Sequence, residues 1–230
     1  MNAQILETAT EIVYQITEYS ETDKAVLLAS YFSEESGVFT KKFQKSTLMF
    51  DHDVQLMAAN FVEHIKEQTN IANTKRKFEN ALEWVCHRHE ENAIKWWLAG
   101  SGALFARGID VTPHDIDIMT YKSEIGKIHR AVKDKIVEPF HHVTGWVVKG
   151  FGVISQNFRI DYAFEPEDWV DGTGPVDFGP AASAEIEEIK WKSHTILVPR
   201  IHYHLKSNQT RNRVDVVEKI QKHMTANNLN

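Results

Sequence analysis

What the chain has little of limits it first. Its 230 residues include a single cysteine, Cys86, so no internal disulfide can form. Its place between Val85 and His87 in a helical-looking run reads as a buried, reduced thiol. Nowhere do about 18 apolar residues follow one another, the length that a membrane-crossing helix needs. The opening MNAQILETATEIVYQ has neither the basic start nor the unbroken apolar stretch of a secretory signal. These absences predict a cytoplasmic protein without a membrane partner. Basic charge is scarce as well: 26 Lys and Arg against 32 Asp and Glu leave a formal net charge of −6. That balance argues against general DNA binding, because such affinity rests on neutralising many phosphates. Internal repeats and low-complexity tracts are missing too.

What is present is ordinary globular material, 42% hydrophobic and 25% charged, in a chain long enough to bury a sizeable core. The charge is unevenly spread. Residues 189 to 230 hold 8 basic and 2 acidic side chains, which would complement an anionic ligand or simply solvate a helix.

Two halves differ in pattern. Over residues 1–92 the apolar spacing reads as helical: Ile5, Ala9, Ile12, Val13 and Ile16 share one face, as do Val54, Met57, Ala58, Phe61, Val62 and Ile65. Phe78, Leu82, Val85 and Cys86 continue that style, and SETD opens another helix with capping residues. This predicts a helical N-terminal region of four or so helices, with SEESGVFTKKFQKST as its irregular middle. Residues 93–230 change to short apolar strands separated by helices and turns, the pattern of an α/β or α+β core. IKWWLA and DIDIMTY read as strands, with GSGALFARG as a turn and short helix between them. SEIGKIHRAVKDKIV reads as an amphipathic helix capped by Ser123. WVVKGFGVIS and NFRIDYAF read as a hairpin and HTILVP as a further strand, while EPEDWVDGTGPVDFGP reads as a long loop. A last helix is predicted near residues 211 to 226, with Val214, Val217 and Ile220 inward.

The chemistry concentrates in residues 99–118, AGSGALFARGIDVTPHDIDI. In a strand alternate side chains share a face, so Asp115 and Asp117 project together while Ile116 and Ile118 enter the core. Two carboxylates held this close raise one another's pKa unless a cation lies between them. Mg²⁺ or Mn²⁺ would take carboxylate oxygens and keep room for phosphate oxygens. Upstream, Gly100 allows close backbone approach, and Ser101 adds a hydroxyl at the start of the following helix, where phosphate would be favoured. Taken separately, Gly-Ser-Gly is also a common turn, and Asp-Ile-Asp is also what an exposed strand edge shows.

Gly100-Ser101, then Asp115-Ile116-Asp117-Ile118 on the next strand, resembles the signature of the nucleotidyltransferase superfamily, in the style of its small-molecule, antibiotic-modifying and toxin-like branches. The resemblance covers residues 94 to 164. It implies a mixed β-sheet core flanked by helices, a nucleoside triphosphate substrate with ATP first among them, and a divalent metal on the carboxylates. A third carboxylate usually comes from a later strand, and Asp161 in FRIDYAF stands in that context, as metal ligand or general base. Arg159, two residues before Asp161, offers it a competing ion-pair partner. A looser echo places Lys206 and Arg211 on the triphosphate, with Arg213 and Asp215 opening the last helix. The acceptor, whether a small molecule, tRNA or protein, is left open. Rival readings are a catalytically degenerate nucleotide-binding or protein-interaction module of the same fold, and a metal-dependent phosphohydrolase.

Other residues read as structural. Trp96 and Trp97 are core, and His114 either touches substrate or ends a turn. His87 and His89, like His202 and His204, are spaced i, i+2, which parts them on a helix, and zinc would need further ligands that lie at no usual spacing.

Overall fold

The structure, a computed structural model, describes residues 1–167 and 176–229. It is α+β, as the sequence predicts. Strands β1 (Asn2–Glu7) and β2 (Glu11–Thr17) lead to α1 (Glu21–Ala29), then β3 (Ser33–Glu35) and β4 (Val38–Gln44), then α2 (Val54–Thr69) and α3 (Thr74–Glu91). Next come β5 (Trp96–Leu98), α4 (Gly100–Ala106), β6 (Ile116–Thr120), α5 (Ile125–Val132), β7 (Ile136–His142), β8 (Val148–Ser155) and β9 (Arg159–Pro166). The chain closes with α6 (Pro180–Ala184), β10 (Ile186–Trp191), β11 (His194–Pro199), α7 (Ile201–Thr210) and α8 (Val214–Ala226). The middle of the predicted long loop, residues 168–175, lies outside the described residues.

The N-terminal region is not wholly helical. Its first 44 residues build a four-stranded antiparallel sheet in the order β1-β2-β4-β3, interrupted by α1. The spacing that suggested a helix explains the difference: Ile12 and Ile16 are four apart, which is one face of a strand as well as one face of a helix. Tyr14 between them is fully buried, and this completes a period of two. Ile, Val and Thr also favour the pleated backbone. The predicted irregular middle is a hairpin instead, turned at Ser36 and Gly37, both with positive φ (52° and 77°), as a tight two-residue turn requires. The helices that do form carry the predicted signals. Ser20 and Asp23 make a reciprocal capping box on α1, while α2 buries Met57, Phe61 and Ile65, and α3 buries Phe78, Leu82, Val85 and Cys86.

The central sheet is mixed and five-stranded, in the order β5-β6-β9-β8-β7. Among the described residues of this sheet only β6 and β9 run parallel; β8 and β9 form the predicted hairpin. Several elements differ from expectation. Ser123 does not cap α5, whose N-cap is Glu124, and the predicted long helix ends early because Ile136 and Val137 enter β7. β10 pairs with β11 as a separate two-stranded ribbon. Ile220 is buried in α8 as predicted, yet Val214 is 65% exposed, because the helix begins there and its first turn faces solvent.

One core joins the two halves. Buried residues from Ile12 to Val198 form a continuous cluster. Tyr14 donates its hydroxyl to the Val137 carbonyl at 2.7 Å, and the Asn60 amide donates to Ile136 O at 3.1 Å, so both β2 and α2 are fastened to β7. We therefore expect a fragment that starts at residue 93 to be insoluble or molten, having lost the cover over β7. A well-dispersed amide NMR spectrum from that fragment would instead mark an independent domain boundary there.

Candidate functional site

The site is assembled where β5, β6 and β9 lie side by side. In the parallel pair, Asp117 is directly opposite Asp161. Asp115 enters the same face one alternation earlier, just before β6 begins. Ile116, Ile118, Ile160 and Tyr162 fill the opposite face and are completely buried. The alternation thus anchors the strands by their apolar side and delivers the acids to the other. One carboxylate oxygen from each of Asp115, Asp117 and Asp161 lies within 4.8 Å of the other two.

Gly100 closes the site from behind. It has φ +61°, in the left-handed region, and a Cβ there would overlap Asp117 Oδ2. Its glycine is required by the adjacent carboxylate as well as by the turn. Its N–H donates to Asp177 Oδ2 at 3.0 Å. Asp177 is itself buried, contacting His204 Nδ1 at 2.9 Å and accepting from the Ser207 hydroxyl at 3.1 Å. This acid was not singled out in the sequence, where it is one of several in a turn-rich stretch and shares no spacing with the others.

The electrostatics are those of crowded anions. Burial, then the charges of Asp115, Asp161 and Asp177, push the Asp117 carboxyl well above its usual range, against the pull of Arg159. Burial likewise raises Asp161, to about 6; Arg159 opposes this and Asp115 adds to it. The Arg159 contact is direct, Nε to Asp161 Oδ1 at 2.7 Å, so Asp161 both joins the acids and pairs with its i, i+2 neighbour. Asp177 goes the other way. Burial would raise it, but the His204 hydrogen bond and the charges of His204 and Arg211 outweigh burial and hold it below the ordinary value.

A cavity of about 790 Å³ opens on the acids. His114, Asp115, Asp117 and Asp161 line it together with Lys41, Glu138, Arg159 and His141. Lys41 and Glu138 pair there at 2.7 Å with both side chains largely out of solvent. Trp146, Val148, Phe151 and Phe178 give it an apolar wall. Ala25, Val26 and Gln68 bring α1 and α2 to its rim, so the N-terminal half shapes the space in front of the acids.

The four residues expected on the phosphates are less gathered than the acids. Gly100 touches Asp117, but neither it nor Ser101 lines the cavity among the described residues. Lys206 is exposed on α7. Arg211, just after α7, holds its guanidinium 5.8 Å from the Phe178 ring and acts on Asp177. Arg213 and Asp215 are exposed at the start of α8. Trp97 is core, 2% exposed, as expected.

A divalent cation fits the acid cluster. Three carboxylates converge in a partly dry setting, and protonation is what relieves their repulsion in its absence. Oxygen-only donors suit a hard ion such as Mg²⁺.

No protein-family model matches the chain, and no curated protein matches it. Among solved structures, it is similar to a protein from Thermotoga maritima described provisionally as a nucleotidyltransferase, with 19% identity over 66% of this chain and 94% of that one and a TM-score of 0.49. It is also similar to ANT(2″)-Ia in complex with adenylyl-2″-tobramycin, with 12% identity over 65% of this chain and 91% of that one and a TM-score of 0.44.

Two measurements check this geometry. Gly100→Ala should cost on the order of 1–3 kcal/mol from the left-handed backbone and the displaced Asp117 carboxylate, and should weaken Mg²⁺ binding in calorimetry. Unchanged stability and affinity would mean that Gly100 does not set the Asp117 position. The second concerns pH. A carboxyl whose folded pKa is raised contributes stability at low pH that is lost as pH rises through the folded value. In EDTA, Asp117→Asn should therefore melt above the parent protein at alkaline pH, and the gap should close toward the ordinary aspartate value of 3.8.

Proposed function

We propose that the chain is a metal-dependent nucleotidyltransferase that moves a nucleoside monophosphate from an NTP, ATP first, to an acceptor hydroxyl and releases pyrophosphate. The observation that carries this reading is the convergence of Asp115, Asp117 and Asp161 within 4.8 Å at the head of a large cavity. In this reading Asp115 and Asp117 hold a Mg²⁺ or Mn²⁺ ion, with Asp161 as a third ligand or as the base. The ion, when bound, would neutralise triphosphate charge and polarise the α-phosphoryl group.

The residues of the chain supply the rest. The cavity, about 790 Å³, is within the usual range for small-ligand sites, which favours a small-molecule acceptor over tRNA or protein. The acceptor oxygen would attack the α-phosphorus as the bond to the pyrophosphate oxygen breaks, and its proton would pass to a carboxylate oxygen of Asp161. A carboxyl raised to about 6 is suited to accept a proton near neutral pH. Arg159 keeps that carboxylate oriented, and its charge is already compensated, so it adds little net attraction for phosphate. Ser101, Lys206 and Arg211 are assigned to the triphosphate by the family resemblance, and Arg211 lies beside Phe178 of the cavity wall.

One observation favours a second reading, a nucleotide-binding module without turnover: the Gly100 N–H and the Asp161 carboxylate both already have partners within the chain, Asp177 and Arg159. Mass spectrometry of products after incubation with each NTP, Mg²⁺ and a panel of hydroxyl acceptors separates the two. Transfer of a nucleoside monophosphate with pyrophosphate release is expected; NTP binding with no product would favour the module, and phosphate release without an acceptor would favour a phosphohydrolase.

Variants test the roles. Asp115→Ala and Asp117→Ala should each abolish turnover without unfolding the protein, since Ile116 and Ile118 keep the strand anchored; near-normal activity in either would remove the metal assignment. Asp161→Asn should lower the single-turnover rate by roughly 10²-fold or more with Mg²⁺-NTP affinity kept if Asp161 is the base, and lower both if it is a ligand.

A further inference from the structure

A second set of metal-ligating side chains lies away from the acids, on α3 and the β10–β11 ribbon. Glu83 and His87 are four apart on α3 and share a face. His194, the first residue of β11, faces them from the far end of the chain. A carboxylate oxygen of Glu83 and one ring nitrogen from each histidine lie within 4.8 Å of one another. None of the three residues lines the cavity described above.

His194 is the informative residue. Its side chain is only 4% exposed, and its Nδ1 lies 2.9 Å from Glu90 Oε1, one turn along α3 from His87. Its Nε2 is buried and has no hydrogen-bond partner among the described residues. An orphaned imidazole nitrogen is costly in a folded protein. Here Glu90 accepts from Nδ1–H, which fixes the tautomer and leaves Nε2 as a lone-pair donor. This is the arrangement in which metal-bound histidines are held by a carboxylate behind them. Trp191 lies stacked on the His194 ring (6.4 Å between centroids, 25°), and the His87 ring meets it edge-on at 4.8 Å, so the imidazole cannot turn away freely.

We propose that Glu83, His87 and His194 bind a late first-row divalent cation, Zn²⁺ first among them, which fastens the β10–β11 ribbon to α3. Two imidazoles and a carboxylate suit zinc and its neighbours and are poor ligands for Mg²⁺. Ligands about 2.0–2.1 Å from zinc at a tetrahedral angle are roughly 3.3 Å apart, so the donors must close by under about 2 Å. Rotation of the exposed His87 and of Glu83, 40% exposed, supplies that closure, and water takes the fourth position from the solvent side. Lys192 now bridges Glu83 at 3.0 Å and Glu79 at 3.5 Å; on metal binding its ammonium yields Glu83 and keeps Glu79. The two histidines could not be associated from the sequence, because the pairing depends on a ribbon that returns to α3 more than a hundred residues later, as the Glu90–His194 separation of 104 shows.

The test is calorimetric titration of the full chain, stripped with chelator, with Zn²⁺ in the presence of excess Mg²⁺ to occupy the acids. One equivalent should bind, and it should persist in an Asp115→Asn/Asp117→Asn double variant. His87→Gln, an exposed position that leaves the fold intact by circular dichroism, should weaken zinc binding at least tenfold. Glu90→Gln should weaken it by about 10- to 100-fold through His194. Zinc should also raise the melting temperature of the parent protein and not that of His87→Gln. No zinc binding in excess Mg²⁺, or zinc binding by His87→Gln equal to the parent's, would overturn the site.

Discussion

The parallel pairing of β6 with β9 is the constraint on which the rest depends. Because the register sets Asp117 opposite Asp161, two carboxylates are fixed at neighbouring positions of one sheet face, and Asp115 is brought in beside them. Their repulsion cannot be relieved by movement, since the isoleucines between them are locked in the core. It is relieved by a proton, by Arg159, or by a cation. The strand order also explains Gly100: β5 lies next to β6, so the turn that leaves it passes against Asp117 with no room for a side chain.

Behind that first layer is a second one built to hold a negative charge with neutral and positive partners. Asp177, whose carboxyl is held below its ordinary range while those of Asp117 and Asp161 are raised, is kept ionised by His204, Ser207 and the charge of Arg211, and it spends one oxygen on the Gly100 amide. The two kinds of aspartate have opposite pKa behaviour for one reason. Donors surround Asp177, while acids surround Asp117. The former is a brace, and the latter is where an added positive charge gains most.

The N-terminal half contributes shape and charge to the same cavity. Lys41 from β4 pairs with Glu138 from β7 at the cavity wall, with α1 and α2 forming the rim. A buried pair of this kind is weak evidence for stability, because both ions lose hydration. Its placement next to Arg159 and His141 gives the space in front of the acids a fixed pattern of charges that any ligand of the cavity would have to complement. The same dependence of one element on a distant one appears at α3, where Glu90 orients a histidine that the β10–β11 ribbon delivers.

The acids were legible because a strand alternation is a local property: Asp115 and Asp117 share a face by covalent geometry alone, and Asp161 stands in a like alternation, each in an apolar frame that only a sheet can bury. The capping box at Ser20, the long amphipathic helices α2 and α3 and the β8–β9 hairpin were legible for the same reason. The first two strands were not, since Ile12 and Ile16 at a spacing of four satisfy both periods, and only the sheet partners on β4 decide between them. Asp177, the Lys41–Glu138 pair and the Glu90–His194 contact were not legible either. By itself the sequence determined which residues carry charge on which face of which strand. The tertiary structure alone decided which of those faces meet, because hydrogen-bond register and the close packing of a single core bring together residues whose separation along the chain leaves no periodic trace.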